Sequence, residues 1–268
     1  MKQITKALAA LVMVTLLSSA ASLSAETKKT VLFDEGHSQK FLVEQNGPLD
    51  LSGLSTLFQR EGLSVRTNRG KITAEVLAGV DALVISGAFA PVDPSEIAVI
   101  SRFLENGGRL CIMLHIGQPV SDLLRRVNVA ISNGVIHEYQ NPVQNNGLDF
   151  YVTRLKPHDL MKGVERFRVY GGWALLATGG NAEIIAQTST EAWVDLNRDN
   201  KFGDGDAVQS FGLVVAGKLG RGRFVVFGDD ALFQNRYLVG GNAVLGKNLA
   251  GWLRDAKGAE ERTPKSSI

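Results

Sequence analysis

Ala82-Leu83-Val84-Ile85-Ser86-Gly87, then Asp93-Pro94-Ser95-Glu96, then Leu110-Cys111-Ile112-Met113-Leu114 decide the fold. The first and last are continuous apolar runs, as expected of strands buried on both faces of a parallel sheet. Between them lies a helix with marked ends. Asp93 can cap it, Pro94 suits its first position, and Glu96 completes a capping box. Ile97, Ile100 and Phe103 or Leu104 form its apolar stripe. Gly107-Gly108 closes it, with Gly108 the expected left-handed cap.

The same alternation continues on both sides. Val31-Leu32-Phe33 reads as a buried strand running into Asp34-Glu35-Gly36-His37. Leu51, Leu54, Leu57 and Phe58 recur at helical spacing, Gly62 closes that helix, and Leu63-Ser64-Val65 begins a strand. Pro119 to Val127 suits a short helix. From Val135 to Val194, short apolar runs separated by Gly and polar turns predict a β-rich insert, about 135–210. Phe211 to Ala216 and Arg223 to Phe227 flank a glycine-rich turn and predict a hairpin. The last strand ends at Gly228-Asp229-Asp230. Asn242 then caps a closing helix carrying Leu245, Leu249 and Trp252. The expected fold is α/β: a mainly parallel sheet flanked by helices, with a β-rich insert and a C-terminal hairpin, as one domain over 26–256.

Residues 1–25 read as a signal peptide. Lys2 and Lys6 precede the apolar run Ala7 to Leu17, and small residues follow to Ala25. Several cleavage points fit, and an uncleaved anchor is the alternative. Absence of cysteine there excludes a lipoprotein anchor. The expected location is periplasmic or secreted, with no membrane span after cleavage. Residues 257–268 are polar and expected to fray as a flexible tail. Lys2 and Lys6 account for the whole excess of 29 basic over 27 acidic residues. The remainder is balanced and lacks the basic excess of a nucleic-acid binder, so no nucleic-acid partner is expected. A chain 44% hydrophobic and 21% charged is neither disordered nor fibrous. Its single cysteine, Cys111, excludes an internal disulfide.

In an open parallel sheet, ligands bind at the carboxyl ends of the strands. The polar groups predicted there are Asp34, Glu35, His37, Ser86, His115, Asp229 and Asp230, with Asn235 just beyond. Asp34, His37, Ser86, His115, Asp229, Asp230 and Asn235 are the candidate ligand-binding set. Were the protein an enzyme, Asp34, Glu35, His37, His115 and Asp229 would supply acid, base or metal-binding groups.

Three segments carry a resemblance: Val31 to His37; Asp81 to Gly87 with the helix and Gly107-Gly108-Arg109-Leu110; and Gly222 to Asp230 with Asn235, Asn242 and Trp252. In this order they resemble an exported family of unknown function in the class I glutamine-amidotransferase-like superfamily. That family is related to accessory subunits of gliding-motility ABC transporters and to a domain of intraflagellar-transport proteins. Catalytic members of the superfamily carry a nucleophilic cysteine between two glycines after the fourth strand. Here the place is Leu114-His115-Ile116-Gly117, with His115 at the nucleophile position. Cys111 lies inside the strand, where burial would raise its thiol pKa. The resemblance therefore implies the fold without the chemistry. His158 lies in a segment similar to one in sugar-related members; the plainer reading is a turn in which it caps a backbone group.

Asp195, Asn197, Asp199 and Asp206 fall at positions 1, 3, 5 and 12 of a twelve-residue loop, with the Lys201 carbonyl at position 7. This is calcium-loop spacing, since Ca2+ takes six to eight hard oxygen ligands. Position 6 is Asn200 rather than Gly, position 12 is Asp rather than Glu, and a strand precedes the loop. The expectation is a structural Ca2+; the alternative is a polar turn. For function, the expectation is an exported, non-catalytic domain binding a small ligand, carbohydrate among the candidates, or a partner protein. The alternatives are a hydrolase using the strand-end residues, and an accessory subunit of a membrane complex.

Overall fold

The computed structural model describes residues 28–255, apart from 198 and 200. The expected signal peptide and tail lie outside the described residues.

The chain begins with β1 (Thr30–Asp34), α1 (Ser52–Arg60), β2 (Ser64–Asn68), β3 (Ala82–Ser86), α2 (Pro94–Glu105), β4 (Arg109–Met113) and α3 (Ser121–Arg126). A β-rich stretch follows: β5 (Val129–His137), β6 (Pro142–Val143), β7 (Asn146–Val152), β8 (Arg154–Leu155), β9 (Phe167–Tyr170), β10 (Trp173–Ala177), β11 (Ala182–Gln187), β12 (Trp193–Val194) and β13 (Ala207–Val208). The chain closes with β14 (Gly212–Leu219), β15 (Gly222–Phe227) and α4 (Gly241–Arg254).

The central sheet runs β13-β12-β5-β10-β14-β15-β4-β3-β1-β2, with β11 and β8 joined beside β14. Its β15-β4-β3-β1-β2 half is parallel, and the remainder is antiparallel. Every residue of β3 and β4 is buried, as their uninterrupted apolar runs require. Leu54 and Phe58 of α1 pack with Leu245 and Leu249 of α4 in one core. Ile100 and Leu104 of α2 pack with Leu123 and Leu124 of α3 in another. The parallel half is thus covered on both faces.

The α2 capping box forms as its residues predict. Asp93 accepts hydrogen bonds from the Ser95 and Glu96 amides, and Glu96 accepts one from the Asp93 amide. Three local expectations are corrected. Gly107, at φ +103°, is the left-handed residue after α2, rather than Gly108. Asn242 does not cap α4: it lies in the helix's first turn and bonds the Arg168 amide and the Arg168 and Leu232 carbonyls. It ties α4 to β9 instead. The β-rich stretch begins at Val129, and its β5 and β10 are spliced into the central sheet beside β14. A smaller antiparallel sheet, β6-β7-β9, stands apart from it.

Candidate functional site

The strand-end groups divide between two centres. The first forms where β1 ends. His37 Nδ1 lies 2.7 Å from Asp34 Oδ2, and His37 Nε2 lies 3.2 Å from Glu96 Oε2. Gln39 Nε2 donates to the same Asp34 oxygen. All four side chains are buried. The Asp34 hydrogen bond, opposed by burial and aided by both carboxylate charges, raises the His37 pKa to about 9. The imidazole is therefore a buried cation between two acids at neutral pH. Glu96 also accepts the Ile72 amide. Nearby, Glu35 accepts the Val43 amide and pairs with Arg69. These bonds fasten the loop after β1 to the start of α2.

The second centre forms where β3, β4 and β15 end. His115 Nδ1 lies 3.1 Å from Asp230 Oδ1. His115 remains 39% exposed, whereas Asp230 is buried. Phe41 and Phe89 flank the imidazole, with ring centroids 5.1 and 5.2 Å away. Trp173 Nε1 donates to the His115 carbonyl. Asp230 Oδ2 and Ser86 Oγ are buried and have no hydrogen-bond partner among the described residues. Gly87 permits this approach: a Cβ there would stand 2.5 Å from Asp230 Oδ2. The Asp230 hydrogen bond raises the His115 pKa, against burial and with help from both aspartate charges.

Asp229, next in sequence, is held by backbone amides. It accepts the Tyr170 and Ala231 amides. Burial, then repulsion from Asp230, pushes its pKa up to about 7 against those two bonds. Asn235 bridges the Gly53 amide, the Gly47 carbonyl and Ser52 Oγ. Of the expected set, Asp34 and His37 stand in the first centre and His115 and Asp230 in the second, with Ser86 at the end of β3. Phe89 joins the two centres: its amide donates to the His37 carbonyl and its ring lies 5.2 Å from the His115 ring.

The nucleophile position has no elbow geometry. A nucleophile elbow is a sharp, strained turn, but His115 is not among the described non-glycine residues with positive φ. Cys111 is fully buried and its thiol pKa is raised well above normal by burial. His158 is the backbone cap of the plainer reading, its Nδ1 accepting the Leu160 amide.

In the 195–206 loop, Asn197 accepts the Asp199 amide, Asp199 accepts the Lys201 amide, and Asp206 accepts the Leu196 and Gly203 amides. Among the described residues no three His, Cys, Asp or Glu side chains gather to hold a metal ion. The carboxylates close the loop through its own backbone.

Phe41, Phe89, Gly87, Gln39 and Glu96 were not in the expected site set. Glu96 was detectable only as a capping residue, and nothing in the local pattern marked the two phenylalanines.

No protein-family model matches the chain, and no curated protein matches it by sequence. Solved structures do. An IFT52 N-terminal domain is 17% identical, with 85% of this chain and 98% of that one covered at TM-score 0.67. A ThuA-like protein from Bacteroides uniformis is 14% identical, with 84% and 91% covered at TM-score 0.51. A cytoplasmic protein from Salmonella typhimurium LT2 is 16% identical, with 84% and 99% covered at TM-score 0.51. At these identities the likeness shows the fold alone: a mixed α/β fold shared with the ThuA-like protein and the IFT52 N-terminal domain.

Proposed function

We propose that this is an exported, non-catalytic binding domain whose small ligand engages His115 and Asp230 between Phe41 and Phe89. The observation that carries this reading is the unpartnered Asp230 Oδ2, buried beside a half-exposed imidazole. A buried acceptor without a donor is costly, and a ligand hydroxyl or amine would satisfy it. The aromatic flanks suit the apolar face of a sugar ring. The hydrolase alternative has a His-Asp pair, but among the described residues no serine, threonine or cysteine side chain is hydrogen-bonded to His115.

The test is thermal unfolding against a panel of mono- and disaccharides, each to about 10 mM, since a ligand that binds only the folded state raises its melting temperature. A rise with one sugar, absent in Asp230→Asn, supports the reading. A flat response across the panel removes carbohydrate as the ligand class. Turnover of amide or ester substrates that is lost in His115→Ala would replace binding with hydrolysis.

One observation favours the accessory-subunit alternative. Tyr139, Phe202 and Val208 are each more than half exposed, and the two aromatic residues lie close to Trp193. A stable complex lost in Tyr139→Ser/Phe202→Ser, but kept in Asp230→Asn, would assign that surface to a partner.

Export rests on the sequence of residues 1–25. N-terminal sequencing of the secreted or periplasmic protein tests it, and a retained Met1 would end it. Among the described residues no helix is long and apolar enough to cross a membrane.

A further inference from the structure

At the opposite end of the parallel sheet, Arg109 of β4 and Arg223 of β15 are register partners. Partners on adjacent parallel strands project to the same face, here the one covered by α4. Arg109 is 3% exposed, and Arg223 is half-buried. Among the described residues neither guanidinium has a hydrogen bond or ion pair. Arg109 lies over the Trp252 ring, 4.9 Å from its centroid. Burial and then repulsion from Arg223 lower its pKa to about 10, against the attraction of Asp255 and Asp159, so it stays charged at neutral pH.

Both arginines line a recess of about 530 Å³ with Lys162 and Trp252. A second recess of about 740 Å³ shares Asp159, Arg223 and Trp252 with it. The acids around the first are Glu61, Asp159 and Asp255. Glu61 is drawn to Lys247 at 3.8 Å, and Asp255 to Arg254 at 3.3 Å.

Burying a charge that no hydrogen-bonded counter-ion holds is costly, and setting a second like charge in register beside it adds to that cost. A cation–π contact accounts for Arg109 over Trp252; it does not account for Arg223. Two guanidinium forks facing one recess are suited to an oxyanion that accepts from both. We propose that the Arg109–Arg223 recess is an anion site for the phosphate group of a phosphorylated molecule, whose body lies along Trp252 toward the second recess. Asp159 and Asp255 offset part of the charge of Arg109, Arg223 and Lys162, and a phosphate has oxygens enough to accept from both guanidinium forks at once. The site lies at the other end of the sheet from the His115 centre and does not depend on it.

The experiment titrates the folded chain with inorganic phosphate at constant ionic strength, following melting temperature and tryptophan fluorescence. Saturable stabilisation is expected, with affinity weakened about tenfold or more in Arg223→Ala, as loss of a charge-assisted bond predicts. Arg109→Met keeps packing against Trp252 and removes the charge. It is expected to abolish the phosphate response and to leave the unliganded melting temperature unchanged or higher. Sedimentation with phosphatidic acid vesicles that is lost in Arg223→Ala would place the phosphate on a lipid headgroup. A phosphate response without sedimentation would place it on a soluble ligand. No response to either probe, the same response in Arg223→Ala, or a large loss of unliganded stability in Arg109→Met overturns the proposal.

Discussion

His37 Nδ1 stands 2.7 Å from Asp34 Oδ2, while Nε2 of the same ring faces Glu96. One imidazole thereby holds β1 to the cap of α2, and its charge matters to stability. Its pKa rises from an ordinary 6.5 to about 9 on folding. The folded state therefore binds the proton more tightly. This contribution, up to about 3 kcal/mol, is complete below about pH 6.5 and disappears as pH rises through about 9. Urea unfolding at pH 6 and pH 9.5 checks it. A stability no lower at pH 9.5 would contradict it.

His37→Ala removes the cation and leaves two buried carboxylates facing each other. The expected loss is about 3–5 kcal/mol, as when one partner of a buried ion pair is deleted. The midpoint of denaturant unfolding measures it.

Asp229 acts in the same pH direction over a lower range. Its pKa, near 4 when unfolded, is pushed up to about 7 in the fold. Ionising it therefore costs the native state, and stability should fall as pH rises from about 4 to about 7. The Tyr170 and Ala231 amides that it accepts offset part of that cost. Titration of the Asp229 carboxyl by NMR, with a midpoint near 7, is the expected result.

Asp230→Asn should lower the His115 pKa toward the ordinary value, because it removes the hydrogen bond and charge that raise it. A proton NMR titration of the ring reads this directly. Gly87→Ala should act on the same place by another route. Its φ of +58° disfavours a side chain, and the new methyl would press on Asp230. Lower stability and loss of any His115-dependent ligand response are expected.

Calcium remains a proposal for the 195–206 loop. An ion there would have to draw Asp199 and Asp206 away from backbone amides. Binding is therefore expected only in the weak range of extracellular modules, about 0.1–1 mM, as a rise in melting temperature that EDTA reverses. A flat response through about 10 mM, above that range, removes calcium.

Much of the fold was legible because its signals are local. The apolar runs of β3 and β4, the Asp93–Glu96 cap and the hairpin before β15 each declare themselves within a few residues. The site was less legible because its partners are distant in sequence. His115 could be placed at a strand end, but its contacts with Phe41, Phe89 and Asp230 come from three other segments. Asn242 looked like a helix cap because caps favour that residue type, yet its bonds run to β9. Ionisable residues at strand ends also look alike in one dimension. Burial is what separates the His37 fastening from the open His115 centre.

The position of β15 has a consequence for how the chain matures. Arg223 to Phe227 must come to rest beside Arg109 to Met113 before β4 has a neighbour on that side. During synthesis, β4 therefore waits with an unpaired edge until nearly the whole domain has emerged. Such a late long-range closure slows folding and exposes an aggregation-prone edge. A chain truncated before β15 should accumulate as insoluble material.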